Sequence, residues 1–112
     1  MSQIAWFEVP ARDTARARKF YGELLGWQFQ PFDGAPDYHI ANEAGGAIQP
    51  ANGRDGVLVY FDVKDINEAS ARVRDLGGEA GERQEIPSVG AYAVCVDTEG
   101  NTFAIYQNAP SE

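Results

Sequence analysis

Two short segments of the chain place a carboxylate two residues after a large aromatic side chain. Trp6 precedes Glu8, and Tyr60 precedes Asp62. Residues two apart in a strand point to the same face, so each segment offers a ring beside a carboxylate. Rings can stack on flat or cationic ligands, and a buried carboxylate can accept ligand donors or transfer protons. We expect the two rings to bind a ligand and the two carboxylates to be candidate catalytic groups.

A less specific interpretation of the same residues stays open. In it, Glu8 and Asp62 are solvated or capping groups at strand edges, and the aromatic rings fill the core. Three positions are open for the lone histidine, His39: at the mouth of a pocket, on the surface facing solvent, or in a structural role. The lone cysteine, Cys95, lies in the apolar run of residues 91–96 with no base nearby in sequence, so we expect an inert buried thiol.

A repeat of roughly 50 residues carries the two aromatic–carboxylate segments. Each copy continues with an aspartate suited to a helix N-cap (Asp13, Asp65), an amphipathic run, and a Leu-Gly stop at residues 25–26 or 76–77. The order β-α-β-β-β therefore occurs twice. Strands are predicted at residues 4–9, 27–32, 38–41, 47–49, 57–63, 81–86, 91–96 and 102–107.

The 112 residues are enough for one domain with a single core. We expect residues 1–50 to form the first module, residues 51–56 a linker, and residues 57–112 the second module. Helical spacing predicts the buried faces of the two helices. These are Ala17, Phe20, Tyr21, Leu24 and Leu25 in the first helix, and Ile66, Ala69, Val73 and Leu76 in the second.

Composition excludes several functions. The net charge of −8 argues against binding to nucleic acid or to anionic membranes, which require a basic surface. No apolar run approaches the roughly 20 residues of a membrane-spanning helix. The first residues, Met1–Ile4, lack the basic segment of a secretory signal, and a single cysteine cannot form an internal disulfide. We therefore expect a cytoplasmic protein.

Several motifs, in their order along the chain, resemble the vicinal oxygen chelate superfamily, which includes glyoxalase I, extradiol dioxygenases, fosfomycin-resistance proteins and bleomycin-binding proteins. The motifs are Phe7-Glu8-Val9-Pro10, Phe20-Tyr21, Leu25-Gly26-Trp27, Gly77-Gly78 and Asp97–Phe103. The likeness covers nearly the whole chain. It implies an α+β fold in which two βαβββ modules form a curved, incomplete barrel around a pocket. It also implies that two modules form each cup, within one chain or by exchange in a homodimer.

The resemblance also implies where a metal would be bound. Metal-dependent members carry four ligands on inward-facing strand positions, which here fall on Trp6 (or Ile4), Gln49, Leu58 (or Tyr60) and Ala104. Of these, we judge that only Gln49 could coordinate, and a neutral amide is a weak ligand for a divalent cation. A catalytic site needs about three protein ligands. We therefore expect no metal and no other cofactor.

The function expected on this basis is metal-independent binding of a small molecule in an aromatic- and carboxylate-lined cup, as in ligand-sequestering drug-resistance proteins. Gln49, His39 and Tyr106 are further expected ligand contacts, Tyr106 because it shares strand parity with Ala104. Two alternatives remain. One is a lyase, isomerase or epimerase that uses Glu8 or Asp62, or a non-standard metal site near His39. The other is a structural or regulatory dimer whose cup is filled by its own aromatic side chains.

Overall fold

The computed structural model describes residues 2–41, 43–54 and 56–109. They form two compact units, one of residues Trp6–Leu58 and the other of the residues up to Ala5 together with those from Val59 onward. The predicted linker includes Asp55, which lies outside the described residues, as do Met1, Asn42 and residues 110–112 of the predicted modules. Among the described residues, no helix is long and apolar enough to cross a membrane.

The first unit contains one helix and a four-stranded sheet. The elements are β1 (Ile4–Ala11), whose first two residues belong to the other unit, α1 (Thr14–Leu25), β2 (Phe29–Phe32), β3 (Ala35–Ala41) and β4 (Gly46–Pro50). The strand order is β2-β3-β4-β1, with β1 parallel to β4 and the other pairs antiparallel. The Asp13 side chain caps α1 by accepting from the Arg16 backbone N–H at 3.0 Å, and Gly26 ends the helix with φ of 74°. Both ends lie where the sequence predicts them.

The predicted buried face of α1 is wrong in three positions. Phe20, Leu24 and Leu25 are more than half exposed, and Thr14 is the buried residue of the helix. The partly buried positions Ala17, Arg18, Tyr21 and Gly22 follow Thr14 at helical spacing and form the sheet-facing stripe. The apolar spacing alone does not distinguish this stripe from the adjacent one with Phe20 and Leu24, because residues of both stripes recur every three or four positions.

An aromatic cluster occupies the helix side of the first sheet. The Trp27 ring stacks on Tyr21 at 5.5 Å and lies 5.9 Å from Phe7 and 6.3 Å from Phe29, measured between centroids. Phe7 pairs in register with Gly46 across β1 and β4, and a Cβ added to Gly46 would overlap the Phe7 ring. Gly46, one residue before the strand predicted at residues 47–49, is the first residue of β4 and allows this close approach. Phe7 therefore packs on the helix side, and its neighbours in β1 face the other way.

The second unit also contains one helix and one sheet. The elements are β5 (Leu58–Asp62), α2 (Ile66–Asp75), β6 (Glu79–Ala80), β7 (Gln84–Ile86), β8 (Gly90–Val96) and β9 (Thr102–Asn108). Strand order is β5-β9-β8-β6, β7 also pairs with β8, and β5 runs parallel to β9. Asp65 caps α2 by accepting from the backbone N–H groups of Asn67 and Glu68, both at 3.0 Å. This confirms the predicted cap.

The single strand predicted at residues 81–86 is two short strands. Ala80 pairs with Cys95 and Gln84 with Tyr92, so three residues (81–83) face two residues (93–94) of β8. One extra residue on one side of an antiparallel pair is a β-bulge. Gly81 lies in this bulge, and its N–H donates to the Val94 carbonyl at 2.8 Å. A Cβ at position 81 would lie 2.6 Å from the same oxygen, so a side chain there would clash.

The core of the second unit lies between α2 and the sheet. Ile66 packs with a buried set from β8 and β9, against which Val63, Val73 and Phe103 are partly buried. The buried set is Ala91, Ala93, Cys95 and Ile105. Leu76, predicted on the buried face of α2, is exposed. Burial raises the pKa of the Cys95 thiol, which disfavours the reactive thiolate, so Cys95 has the inert environment that the sequence predicts.

The β8–β9 hairpin turn depends on Asp97. Its side chain accepts from the backbone N–H groups of Glu99 and Asn101 at 2.8 and 2.9 Å, and Gly100 has φ of 85°. These two hydrogen bonds, that from Asn101 first, lower the pKa of Asp97 below its ordinary value.

We expect Asp97→Ala to lower the melting temperature at neutral pH. Because the folded pKa is depressed, the stabilisation is present above the unfolded pKa of about 4 and is lost as the pH falls through the lower folded pKa. The difference in melting temperature between wild type and variant should therefore shrink from pH 7 to pH 2.5, measured by circular dichroism. The exposed Glu82→Ala is the control. A gap that stays constant with pH would contradict the role assigned to the carboxylate.

Candidate functional site

Glu8 is a buried carboxylate whose two oxygens both accept hydrogen bonds. The residue is 7% exposed. Its Oε2 accepts from the Tyr38 hydroxyl at 2.6 Å, and its Oε1 accepts from Gln49 Nε2 at 3.0 Å and from Arg54 Nη1 at 3.4 Å. Buried charge is tolerated only with such partners. We call Trp6, Glu8, Tyr38, Gln49 and Arg54 the Glu8 cluster.

Strand register brings three members of the cluster to one face of the first sheet. In the parallel pair β1–β4, Pro10 lies opposite Gln49, and Pro10 shares the parity of Glu8. In the antiparallel pair β3–β4, His39 lies opposite Ile48, so Tyr38 comes one position along, beside Gln49. Because side chains alternate between the faces of a sheet, these contacts lie opposite the Phe7 face.

Trp6 extends the cluster through a hydrogen-bonded chain. The indole Nε1 donates to the Tyr38 hydroxyl oxygen at 2.8 Å, and the same hydroxyl donates to Glu8. A hydroxyl that accepts from one group and donates to a charged oxygen forms a strong, directed bond. The structure thus brings together Trp6, Glu8 and Gln49 from the predicted site residues, and adds Tyr38.

Arg54 is a cluster member that the sequence reasoning missed. It ends the turn Ala51-Asn52-Gly53-Arg54, in which Asn52 and Gly53 have φ of 48° and 82°, and its N–H donates to the Ala51 carbonyl at 2.8 Å. Positive φ at both central residues defines a type I′ turn, for which Asn-Gly is the preferred sequence. This dipeptide is the available signal in the sequence, in a segment predicted above only as a linker.

His39 is not in the Glu8 cluster. It follows Tyr38 and therefore points to the opposite face, where it is 8% exposed and so does not face solvent. Its Nε2 lies 3.0 Å from Asp37 Oδ1, which also accepts from the Thr14 hydroxyl at 2.6 Å. The Thr14 bond first, and then the His39 bond, lower the pKa of Asp37. This arrangement ties β3 to the start of α1.

The other predicted site residues lie on one face of the second unit's sheet. Between β5 and β9, Tyr60 pairs with Ala104 and Asp62 pairs with Tyr106. Between β8 and β9, Tyr92 pairs with the same Tyr106. The Tyr60 and Tyr92 rings meet at 5.8 Å and 64°. The Tyr106 hydroxyl lies within hydrogen-bond distance of the Val89 carbonyl at 2.9 Å, and its pKa is raised by burial first and then by the charge of Asp62. This face is opposite the core formed with α2, as the strand parity predicts.

Glu8 and Asp62, at corresponding places in the repeat, have different environments. Asp62 is exposed, and its backbone N–H donates to the Gln3 carbonyl at 2.8 Å. It lines a surface cavity of about 550 Å³ together with Ser2, Gln3, Val63, Lys64, Gln107 and Asn108. Of the two candidate acid–base groups, Glu8 alone is buried among hydrogen-bond donors, so the two carboxylates are not equivalent.

With this geometry in view, comparison with known proteins decides the family. Residues 6–106 match the family described as Glyoxalase-like domain. The chain belongs to the glyoxalase-like domain family. A "Glyoxylase-like domain-containing protein" of Didymella fabae is 34% identical, over 92% of this chain and 91% of that protein. A "Putative glyoxylase CFP32" of Mycobacterium bovis is 29% identical over 97% of this chain, which spans 45% of that longer protein.

Solved structures of low identity show the same fold. A hypothetical protein, BH1468, of Bacillus halodurans C-125 has a TM-score of 0.72 at 13% identity, with 99% of this chain and 97% of that chain covered. A glyoxalase/bleomycin resistance protein/dioxygenase superfamily member of Vibrio splendidus 12B01 has a TM-score of 0.70 at 15% identity, covering 96% and 100%. Methylmalonyl-CoA epimerase of Mycobacterium tuberculosis has 0.65 at 14%, covering 96% and 88%. The resemblance to the vicinal oxygen chelate superfamily and the predicted α+β fold class are confirmed.

The side chains at the superfamily's metal positions do not fit a metal in this glyoxalase-like chain. Leu58 and Ala104 are buried and have no ligand atoms. The Trp6 indole is a donor only, and it donates to Tyr38. The Gln49 amide nitrogen donates to Glu8, which leaves one neutral carbonyl oxygen. Within the described part of the chain, no group of three or more His, Cys, Asp or Glu side chains could hold a metal ion.

Proposed function

We propose that the protein is a metal-independent small-molecule-binding member of the glyoxalase-like family, with the ligand placed on the Glu8 cluster. The observation that carries the proposal is the fixed orientation of aromatic and polar groups on one sheet face. The Trp6 indole donates to the Tyr38 hydroxyl, and that hydroxyl donates to the buried Glu8 carboxylate. A preorganised face of this kind, partly apolar and with few directed polar groups, is typical of ligand sites.

Ligand binding is tested by a thermal-shift screen of planar aromatic compounds, followed by calorimetric titration of those that stabilise the protein. We expect Trp6→Ala to raise the dissociation constant by about tenfold or more, because the stacking surface for the ligand is lost. Trp27→Ala, on the helix side of the same sheet, is the matched control. It should lower stability and leave the affinity of the folded protein unchanged. Equal affinity in wild type and Trp6→Ala would refute the assigned face.

Metal content separates this proposal from a metalloenzyme. Protein purified without an affinity tag or chelator should contain far less than one equivalent of transition metal by inductively coupled plasma mass spectrometry. The donor chemistry at Trp6, Leu58 and Ala104 supports this expectation. A near-equimolar metal would contradict it.

A second candidate, a lyase, isomerase or epimerase, is favoured by one observation. The Tyr38 hydroxyl lies 2.6 Å from Glu8 Oε2, a distance at which a phenol and a carboxylate share a strong hydrogen bond and can pass a proton. Loss of turnover and of its pH dependence in Glu8→Gln would support this candidate over simple binding. We propose a homodimer in the cytoplasm for either function, on the grounds of the family resemblance and of the cysteine usage.

A further inference from the structure

Backbone hydrogen bonds fix the position of Arg54 independently of the contacts of its side chain. The type I′ turn holds the Arg54 N–H on the Ala51 carbonyl, and the Ala51 N–H donates in turn to the Ala11 carbonyl at the end of β1, at 2.9 Å. The turn therefore continues the β1–β4 pairing. Because the turn fixes the Arg54 backbone, the contact between the Arg54 side chain and Glu8 follows from the fold of this segment.

The Arg54 guanidinium extends from the buried carboxylate toward solvent. Its side chain is 37% exposed, whereas that of Glu8 is 9% exposed. Arg54 Nη1 lies 3.4 Å from Glu8 Oε1, and Gln49 Nε2 lies 3.0 Å from the same oxygen. A guanidinium has five N–H donors in a rigid fork. Among the described residues one of these donors contacts Glu8, so most of the fork remains for a further acceptor.

We infer that Arg54 recognises a carboxylate group of the ligand; this assignment rests on the proposed function. The guanidinium fork matches a carboxylate with two parallel hydrogen bonds. The Glu8 oxygens already accept three donors, so the cluster offers a ligand donors more readily than acceptors. This reverses the preference for cationic ligands that two unpaired carboxylates would give.

The charge of the cluster favours a carboxylate over a phosphate ester. Arg54 is the cation of the Glu8 cluster, and the adjacent Glu8 carboxylate offsets part of its charge and repels a dianion more strongly than a monoanion. A monoanion needs one cation, while a phosphate dianion is commonly held by several cations or by backbone N–H groups. The ligand class inferred is therefore a small molecule that carries a carboxylate beside an aromatic or other flat group able to lie against Trp6.

The test uses the folded protein and matched probes. Benzoate, phenylacetate and nicotinate are each titrated beside the corresponding primary amide, and inorganic phosphate is titrated alone, with affinity followed by changes in protein NMR signals. We expect the carboxylates to bind more tightly than their amides. Arg54→Met should weaken carboxylate binding by about tenfold or more and amide binding by much less, because an amide offers the fork one neutral acceptor oxygen. Arg54→Lys, which keeps the charge but not the fork, should give an intermediate loss.

The exposed Arg72→Met on α2 is the matched control, and thermal unfolding checks that every variant is folded. Equal binding of acids and amides, binding unaffected by both Arg54 variants, or tighter binding of phosphate than of every carboxylate would each overturn the inference. Absence of binding by all three carboxylates would overturn it as well. If compounds from the wider screen still need Trp6 but not Arg54, the inference fails while the proposed function stands.

Discussion

Replacing Glu8 with alanine is expected to destabilise the protein by about 3 kcal/mol. The carboxylate is the common acceptor for Tyr38, Gln49 and Arg54, and its removal takes this acceptor away from all three donors. The cost of such a change is the desolvation of the orphaned groups in addition to the lost bonds. Urea unfolding followed by circular dichroism measures the difference in free energy.

Two further variants isolate the cause. Glu8→Gln keeps the size and one acceptor oxygen, so its cost should fall between wild type and Glu8→Ala. Asp62→Ala removes the carboxylate at the corresponding place in the repeat, but that residue is exposed, so the change should stay within about 0.5 kcal/mol. If Glu8→Ala and Asp62→Ala cost the same, the hydrogen-bonded cluster would not be the source of the effect.

Gly46→Ala is expected to cost about 2 to 3 kcal/mol, because the added methyl group would overlap the Phe7 ring. Phe7 can move little, since Trp27 packs against it and Tyr21 stacks on Trp27. The strain acts on the β1–β4 pair, whose register sets Glu8 beside Gln49. Besides the lower unfolding free energy, ligand affinity should fall in this variant although it alters no residue of the Glu8 cluster.

A double-mutant cycle tests this contact. Phe7→Leu makes room at the ring position, so Gly46→Ala should cost less in the Phe7→Leu background than in wild type, with a coupling of about 1 kcal/mol or more. Gly56→Ala is the control, since a Cβ there meets nothing within 4 Å and its backbone needs no positive φ. Strictly additive effects of Phe7→Leu and Gly46→Ala would show that the ring and the glycine do not limit each other.

Local signals in the sequence succeeded where a few adjacent residues decide the outcome. The caps Asp13 and Asp65 and the helix end at Gly26 depend on contacts within about four residues, and all three are confirmed. The exposed face of α1 and the bulge at Gly81 were missed for the opposite reason. Each depends on which strand lies beneath or beside it, and that partner is distant in sequence.

The candidate site divides in the same way. Strand parity predicted that Trp6 and Glu8 share a face, and the repeat predicted that Tyr60 and Asp62 do. It could not predict that Glu8 is buried and Asp62 exposed, because burial depends on neighbouring strands and turns. Tyr38 and Arg54 reach Glu8 from 30 and 46 residues away in sequence, a separation that no local pattern records.

The sequence by itself determined the repeated βαβββ order, the helix ends and the parity of the strands, since these follow from chain geometry over a few residues. It also determined that leucine and alanine occupy positions where the superfamily resemblance places metal ligands. Tertiary structure alone decided which polar groups surround Glu8 and that Arg54 offers a partly exposed guanidinium beside it. The reason is physical: a hydrogen bond needs its two atoms at about 3 Å, and only the pairing of β1, β3 and β4 with the following turn brings them to that distance.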